Sequence, residues 1–173
     1  MTGRTSRGRK LVQLTVSVAL LTLAASAFAE GDAWDRKENR FQALPAFANQ
    51  AVLDTETGLV WERAPSAGAF TWGQAHDRCN RLVLGARMAW RVPTLQELTS
   101  LLDIGAPNNL TPGHPFVVLP PWNIGEAIWS ATTSASNATN AWGMNLASTL
   151  TITPKGSLSH AWCVRFRQGV DPQ

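Results

Sequence analysis

Apolar residues recur at three- and four-residue steps in two stretches of the chain and gather in short runs elsewhere. In the first stretch, Trp72, Ala75, Cys79 and Leu82 fall on one helical face. Thr71 precedes them, and its hydroxyl can accept from the early amides while Gln74, three residues on, reaches back to the Thr71 amide. Gly85 is the expected left-handed stop, so the pattern predicts a helix from 72 to about 84 with Cys79 facing inward. The same grammar returns after Pro93. Thr94 caps, Glu97 completes the box, and Leu95, Leu98, Leu101 and Leu102 form the buried stripe before Gly105.

Strand-like runs flank these helices. Residues 51–53 and 59–61 are short apolar runs around Asp54, Thr55, Glu56, Thr57 and Gly58, the pattern of a β-hairpin. Three further runs lie at 127–130, 141–146 and 160–167, with a shorter ribbon at 150–153 that turns at Pro154, Lys155 and Gly156. The last run alternates Trp162, Val164 and Phe166 against Cys163 and Arg165. Between the second helix and the late strands, Pro107, Pro112, Pro115, Pro120 and Pro121 remove backbone donors and predict a long stiff loop. Residues 131–140 are uncharged and rich in short hydrogen-bonding side chains, the signature of a polar loop. Residues 30–49 show no sustained period and are expected to be a partly ordered lead-in. Helices early and antiparallel strands late indicate an α+β fold, two helices packed on a small antiparallel sheet with long loops.

Charge changes the picture at the N-terminus. The 173 residues include 15 Lys plus Arg against 12 Asp plus Glu, a formal net charge of +3. Arg4, Arg7, Arg9 and Lys10 precede an uncharged apolar run over 11–25, and Ala27, Phe28 and Ala29 supply the small residues a signal peptidase reads. Residues 1–29 are therefore expected to be a secretory signal, with membrane contact only through that transient segment. The apolar run is shorter than the roughly 20 residues a spanning helix needs. Removing 1–29 takes away four positive charges, leaving 11 against 12 and a mature charge of about −1. Bulk support for nucleic-acid binding disappears with it. The expected destination is periplasmic or extracellular, with a domain over 50–168 and a tail over 169–173.

Export makes the two cysteines interpretable. Cys79 and Cys163 are the only thiols, and an even count in an oxidising compartment reads as one disulfide. A redox pair or metal thiolates would call for C-x-x-C spacing or a second ligand pair, and neither is present. Closing a loop of about 84 residues stabilises by roughly 4 to 5 kcal/mol in the chain-entropy picture.

Six ordered blocks carry a resemblance. They are the run from Asp54 to Trp61, Thr71-Trp72 leading to Cys79, Trp90 to Thr94 with Glu97-Leu98, Trp129 to Thr132, Ala141-Trp142-Gly143 and Cys163-Val164-Arg165. Together they resemble the Lcl C-terminal domain family, named after the C-terminal module of a bacterial collagen-like adhesin. That resemblance implies a C-type-lectin-like α+β fold, export, and, as in the adhesin, binding to glycosaminoglycans and to host or abiotic surfaces. The chain lacks the Gly-X-Y stalk of that adhesin.

Candidate chemistry is sparse. His76, His114 and His160 are dispersed and have no partner at zinc-ligand spacing, no Ser sits in G-x-S-x-G, and no acidic cluster offers calcium its six to eight oxygens. No metal or cofactor is expected. Of the eight Trp, Trp61, Trp72, Trp90, Trp129, Trp142 and Trp162 fall in predicted elements and belong to the core. Trp122 lies in the proline-rich loop beside Asn123, where an indole next to an amide suits sugar recognition. With Thr132, Asn137 and Asn140 of the polar loop, these form the candidate ligand-binding set. Arg78, Arg81 and Arg87 near the first helix, with Arg165 and Arg167, would suit sulfate or carboxylate groups if the fold brought them together, but in a near-neutral mature chain scattered ion pairs are the stronger expectation. The leading expectation is a non-enzymatic exported domain that binds a glycan or an envelope protein. The alternatives are an adhesion or assembly subunit acting through a protein interface, and an enzyme with a spatially assembled site near Trp122. Oligomeric state is not written in the sequence.

Overall fold

The structure, a computed structural model, describes residues 40–104, 110–117, 127–145 and 147–167. Strand β1 (Phe41–Ala43) opens it, followed by a short 3-10 turn at Pro45–Phe47, β2 (Ala51–Asp54), β3 (Leu59–Glu62) and β4 (Ala69–Phe70). Helices α1 (Trp72–Arg81) and α2 (Leu95–Ser100) come next. Strands β5 (Ile128–Thr133), β6 (Asn140–Met144), β7 (Leu150–Pro154), β8 (Ser159–His160) and β9 (Val164–Phe166) complete the order.

The fold is α+β, with two sheets where the sequence predicts one. The first is antiparallel, in the order β1-β2-β3-β9, and the second runs β4-β8-β5-β6-β7 with β8 parallel to β5. The run expected as a single last strand is split between them. His160 pairs with Ala69 and Ile128 in the second sheet, whereas Val164 pairs with Trp61 in the first. Residues 161–165 cross between the sheets and are all buried, which is why the expected alternation of exposure fails there.

The β2–β3 hairpin forms as predicted, with Val52 opposite Trp61. Its turn is held by the Asp54 carboxylate, which accepts from the Glu56 amide at 3.0 Å and the Thr57 hydroxyl at 2.8 Å. Alternation in this hairpin splits the core in two. Val52, Leu59 and Trp61 join Leu98, Leu101, Ile128, Met144 and Trp162 in one cluster, while Ala51, Leu53 and Val60 join Ala75, Cys79, Trp90 and Trp129 in the other. Both faces of the first sheet are therefore covered. Trp61, Trp90, Trp129 and Trp162 are fully buried, and Trp72 and Trp142 are half-buried. Three of the four buried indoles donate to main-chain oxygens, of Glu62, Phe70 and Arg87.

Both capping boxes are present, Thr71 with Gln74 and Thr94 with Glu97. Helix α1 stops at its C-cap Leu82, before Gly85. Gly85 instead occupies a tight turn in which Leu84 and Arg87 exchange both main-chain bonds, with φ of +55° at Gly85 and +58° at Ala86. The sequence-based stop is thus displaced by three residues, because a turn with positive φ at both central positions uses glycine as readily as a helix end does. Gly105 lies outside the described residues. The segment expected as a partly ordered lead-in supplies β1 and the 3-10 turn from Phe41 onward, and Phe41 and Phe47 are core residues.

Cys79 of α1 is joined to Cys163, 84 residues on, with Cα atoms 5.5 Å apart. The bond ties the helix to the crossing between the two sheets. Beside it the Arg78 guanidinium holds both Glu62 carboxylate oxygens, at 2.6 and 2.9 Å.

Candidate ligand-binding face

Three polar segments converge on the outer end of the second sheet: the loop over 134–139, the turn after β7, and the first turn of α1. Main-chain bonds fix their relative positions. The Trp72 amide donates to the Lys155 carbonyl at 3.0 Å, and the Lys155 amide donates to the Thr139 carbonyl at 2.9 Å. The Trp72 indole N–H donates to the Ser130 carbonyl at 2.9 Å, so the half-buried ring is anchored at the sheet. Lys155 Nζ lies 4.2 Å from the Trp72 ring centroid and donates to Thr133 Oγ1 at 2.9 Å. His76, one turn along α1, places its ring centroid 4.1 Å from that of Trp72.

This corner carries a positive charge without a carboxylate partner, since no described Asp or Glu lies within ion-pair distance of Lys155. Burial first, and the Lys155 charge second, hold the His76 imidazole below its ordinary pKa, with Asp77 opposing. His76 is therefore neutral at pH 7, and its buried Nε2 has no hydrogen-bond partner among the described residues.

The loop is preorganised by its own side chains. Asn137 Oδ1 accepts from the Thr139 amide at 3.0 Å and the Thr139 hydroxyl at 2.7 Å, and Asn140 and Ser134 pair through main-chain bonds with Asn137 and Asn140. Asn137 is exposed. The chemistry on offer is one ammonium group beside a row of uncharged polar side chains, suited to hydroxyl, carbonyl or anionic oxygen.

The structure treats the sequence-derived candidates unequally. Asn137 and Asn140 lie together at this face, Asn140 half-buried at the start of β6. Thr132 is in β5, which runs to Thr133 and so shortens the expected loop of 131–140. Its Oγ1 accepts from the Leu95 amide at 3.0 Å and fastens α2 to the sheet. Trp122 and Asn123 lie outside the described residues. Of the arginines, Arg78 and Arg81 line one shallow depression beside α1, while Arg87 and Arg165 both lie against the Phe47 ring. Arg78 is paired with Glu62, and Arg165 is buried, with its guanidinium 5.8 Å from the rings of Phe47 and Trp90.

Trp72, His76, Thr133 and Lys155 at this face were not among the sequence candidates. Trp72 matched the helix stripe, and Lys155 sits in a turn whose sequence signal is purely conformational. The pairing of a Trp at the first helical position with a His four residues later was the readable signal, because i and i+4 share a face.

Elsewhere, a surface depression of about 370 Å³ is lined by Ala48, Asn49, Gln50, Glu62, Leu84 and Val117. Its charged groups are Glu62, which Arg78 neutralises, and Arg63, whose guanidinium donates to the Pro115 and Asn49 carbonyls. Among the described residues no group of three His, Cys, Asp or Glu is placed to hold a metal ion, and no helix is long and apolar enough to cross a membrane.

These features define an α+β domain tied by one disulfide, with a polar loop face at the end of its second sheet. The chain belongs to the Lcl C-terminal domain family, which it matches over residues 50–165. No curated protein matches it significantly.

Proposed function

We propose that this protein is an exported binding domain of C-type-lectin-like fold that recognises a hydroxyl-rich ligand, a carbohydrate or a polar protein surface, at the bacterial envelope or outside the cell. The observation that carries the proposal is the Lys155 ammonium, fixed over Trp72 beside an uncharged, preorganised loop and without a carboxylate partner among the described residues. Such a group is costly to position and gains most when a ligand oxygen completes its shell. Family membership, the disulfide and the N-terminal signal pattern support the compartment and the class.

A glycan array and a pull-down from envelope extract, run with the wild type and with Lys155→Ala and Asn137→Ala, test this reading. The expected result is a retained ligand whose binding falls about tenfold or more in each variant, equivalent to one charged or two neutral hydrogen bonds. Unchanged binding by both folded variants would move the site elsewhere. Absence of any retained ligand would remove the reading.

A further inference from the structure

We propose that two copies of this chain pair antiparallel along β7, about a two-fold axis at Ile152. Among the described residues, strand β7 is the last strand of the second sheet, paired on one side only, with β6. The Asn145 amide donates to the Thr149 carbonyl and the Lys155 amide to the Thr139 carbonyl, so residues 149, 151, 153 and 155 turn their main-chain groups toward β6. Leu150, Ile152 and Pro154 therefore turn theirs outward. That edge offers the N–H groups and carbonyls of Leu150 and Ile152, whereas proline has no N–H and the Pro154 carbonyl, which already accepts from the Ser157 amide at 2.9 Å, offers its second lone pair.

The edge is complementary to itself. With Ile152 opposite Ile152 of a second copy, each Ile152 N–H meets the other Ile152 carbonyl, and each Leu150 N–H meets a Pro154 carbonyl. All outward donors of both copies are then used. Side chains follow the same symmetry. Leu150 and Ile152 are 45% and 46% exposed, and Ile152 shares a sheet face with its register partner Trp142, which is half-buried. Pairing would join the two Ile152–Trp142 pairs into one apolar row across the seam.

Charge favours a second copy as the occupant. Soluble proteins guard exposed edges with charged side chains, yet no residue from Asn145 to Pro154 is charged. The first charge, Lys155, would stand opposite Thr149 of the other copy, so no like charges face each other. Closure about a two-fold axis also consumes both unguarded edges at once and leaves none for further addition.

Light scattering after size exclusion, on protein purified from cells expressing the whole chain and loaded over about a hundredfold concentration range, should show a dimer that grows with concentration. Ile152→Lys should give the monomer mass at every loading, while Phe166→Lys, at an exposed position on the other sheet, should leave the dimer intact. Ile152→Cys should form a cross-linked dimer on oxidation, because opposed residues in a hydrogen-bonded antiparallel pair stand about 5.5 Å apart, within disulfide reach. A wild type that stays monomeric throughout, a dimer that survives Ile152→Lys, or a dimeric Ile152→Cys protein that does not cross-link would each overturn the proposal.

Discussion

Arg40 and Asp54 form a buried ion pair, with guanidinium Nε and Nη2 bonded to the two carboxylate oxygens at 3.0 and 2.8 Å. The pair joins the start of β1 to the end of β2, and Asp54 also organises the hairpin turn. One carboxylate thus serves a strand pairing, a turn and a charge. Asp54→Asn should destabilise the protein by about 1.5 to 3 kcal/mol, the order of a charged hydrogen bond, because the Arg40 guanidinium keeps Glu56 at 3.1 Å as a second partner. Urea denaturation of wild type and variant measures it, and a change within about 0.5 kcal/mol, as for an ordinary surface substitution, would show that the pair is dispensable.

Stability should fall in two steps as pH is lowered. Burial opposes ionisation of Asp54 and Glu97, but their bonds to Arg40 and Arg91 and to nearby amides and hydroxyls outweigh it and hold both below their ordinary values. Their contribution is present above the unfolded values, 3.8 and 4.5, and is lost as pH falls through the folded ones. His76 and His114 are lowered from 6.5, His76 by burial and Lys155, His114 by burial. Below that value the unfolded chain takes up protons that the folded chain resists, so the first step begins there. Thermal melts from pH 7 to pH 3 should show both steps, and His76→Gln should shrink the first. A flat profile between pH 7 and pH 5 would contradict the histidine contribution.

Loss of the disulfide should cost about 2 to 5 kcal/mol, since it closes a long loop and anchors α1 at the crossing between the sheets. Intact mass before and after reduction with alkylation identifies the bond, and denaturation of Cys163→Ser gives the cost. Two free thiols in protein purified without reductant would exclude it.

Gly85→Ala should destabilise far more than Gly156→Ala. A Cβ at Gly85 would run into the Ala46 carbonyl oxygen and approach Phe47 Cα to 2.7 Å, at a φ of +55°, whereas Gly156 has open space around it. The positive φ alone costs on the order of 1 kcal/mol, and the backbone collision adds to it. Equal melting temperatures for the two variants would mean that the turn moves away from Ala46.

Local chemistry was legible where it is written in adjacent residues. Both capping boxes, the β2–β3 hairpin, the inward face of Cys79 and its pairing with Cys163 follow from spacing, composition and compartment. The polar loop was legible as a class of residues, and Asn137 and Asn140 do lie at the candidate face. Thr132 carries the same polar signature but is committed to the Leu95 amide, a contact 37 residues away in sequence.

The sequence by itself determined the α+β class, the family, the helix starts and the disulfide, because each rests on periodicity or on a short motif. Tertiary structure decided that there are two sheets, that the last apolar run is divided between them, and that Arg78 faces Glu62 rather than solvent. It also brought Trp72, His76 and Lys155 to the polar loop, although Lys155 lies 83 residues beyond Trp72 in the chain. The physical reason is common to all of these: apolar period reports whether a side chain is covered, and only the packed chain specifies which distant element does the covering.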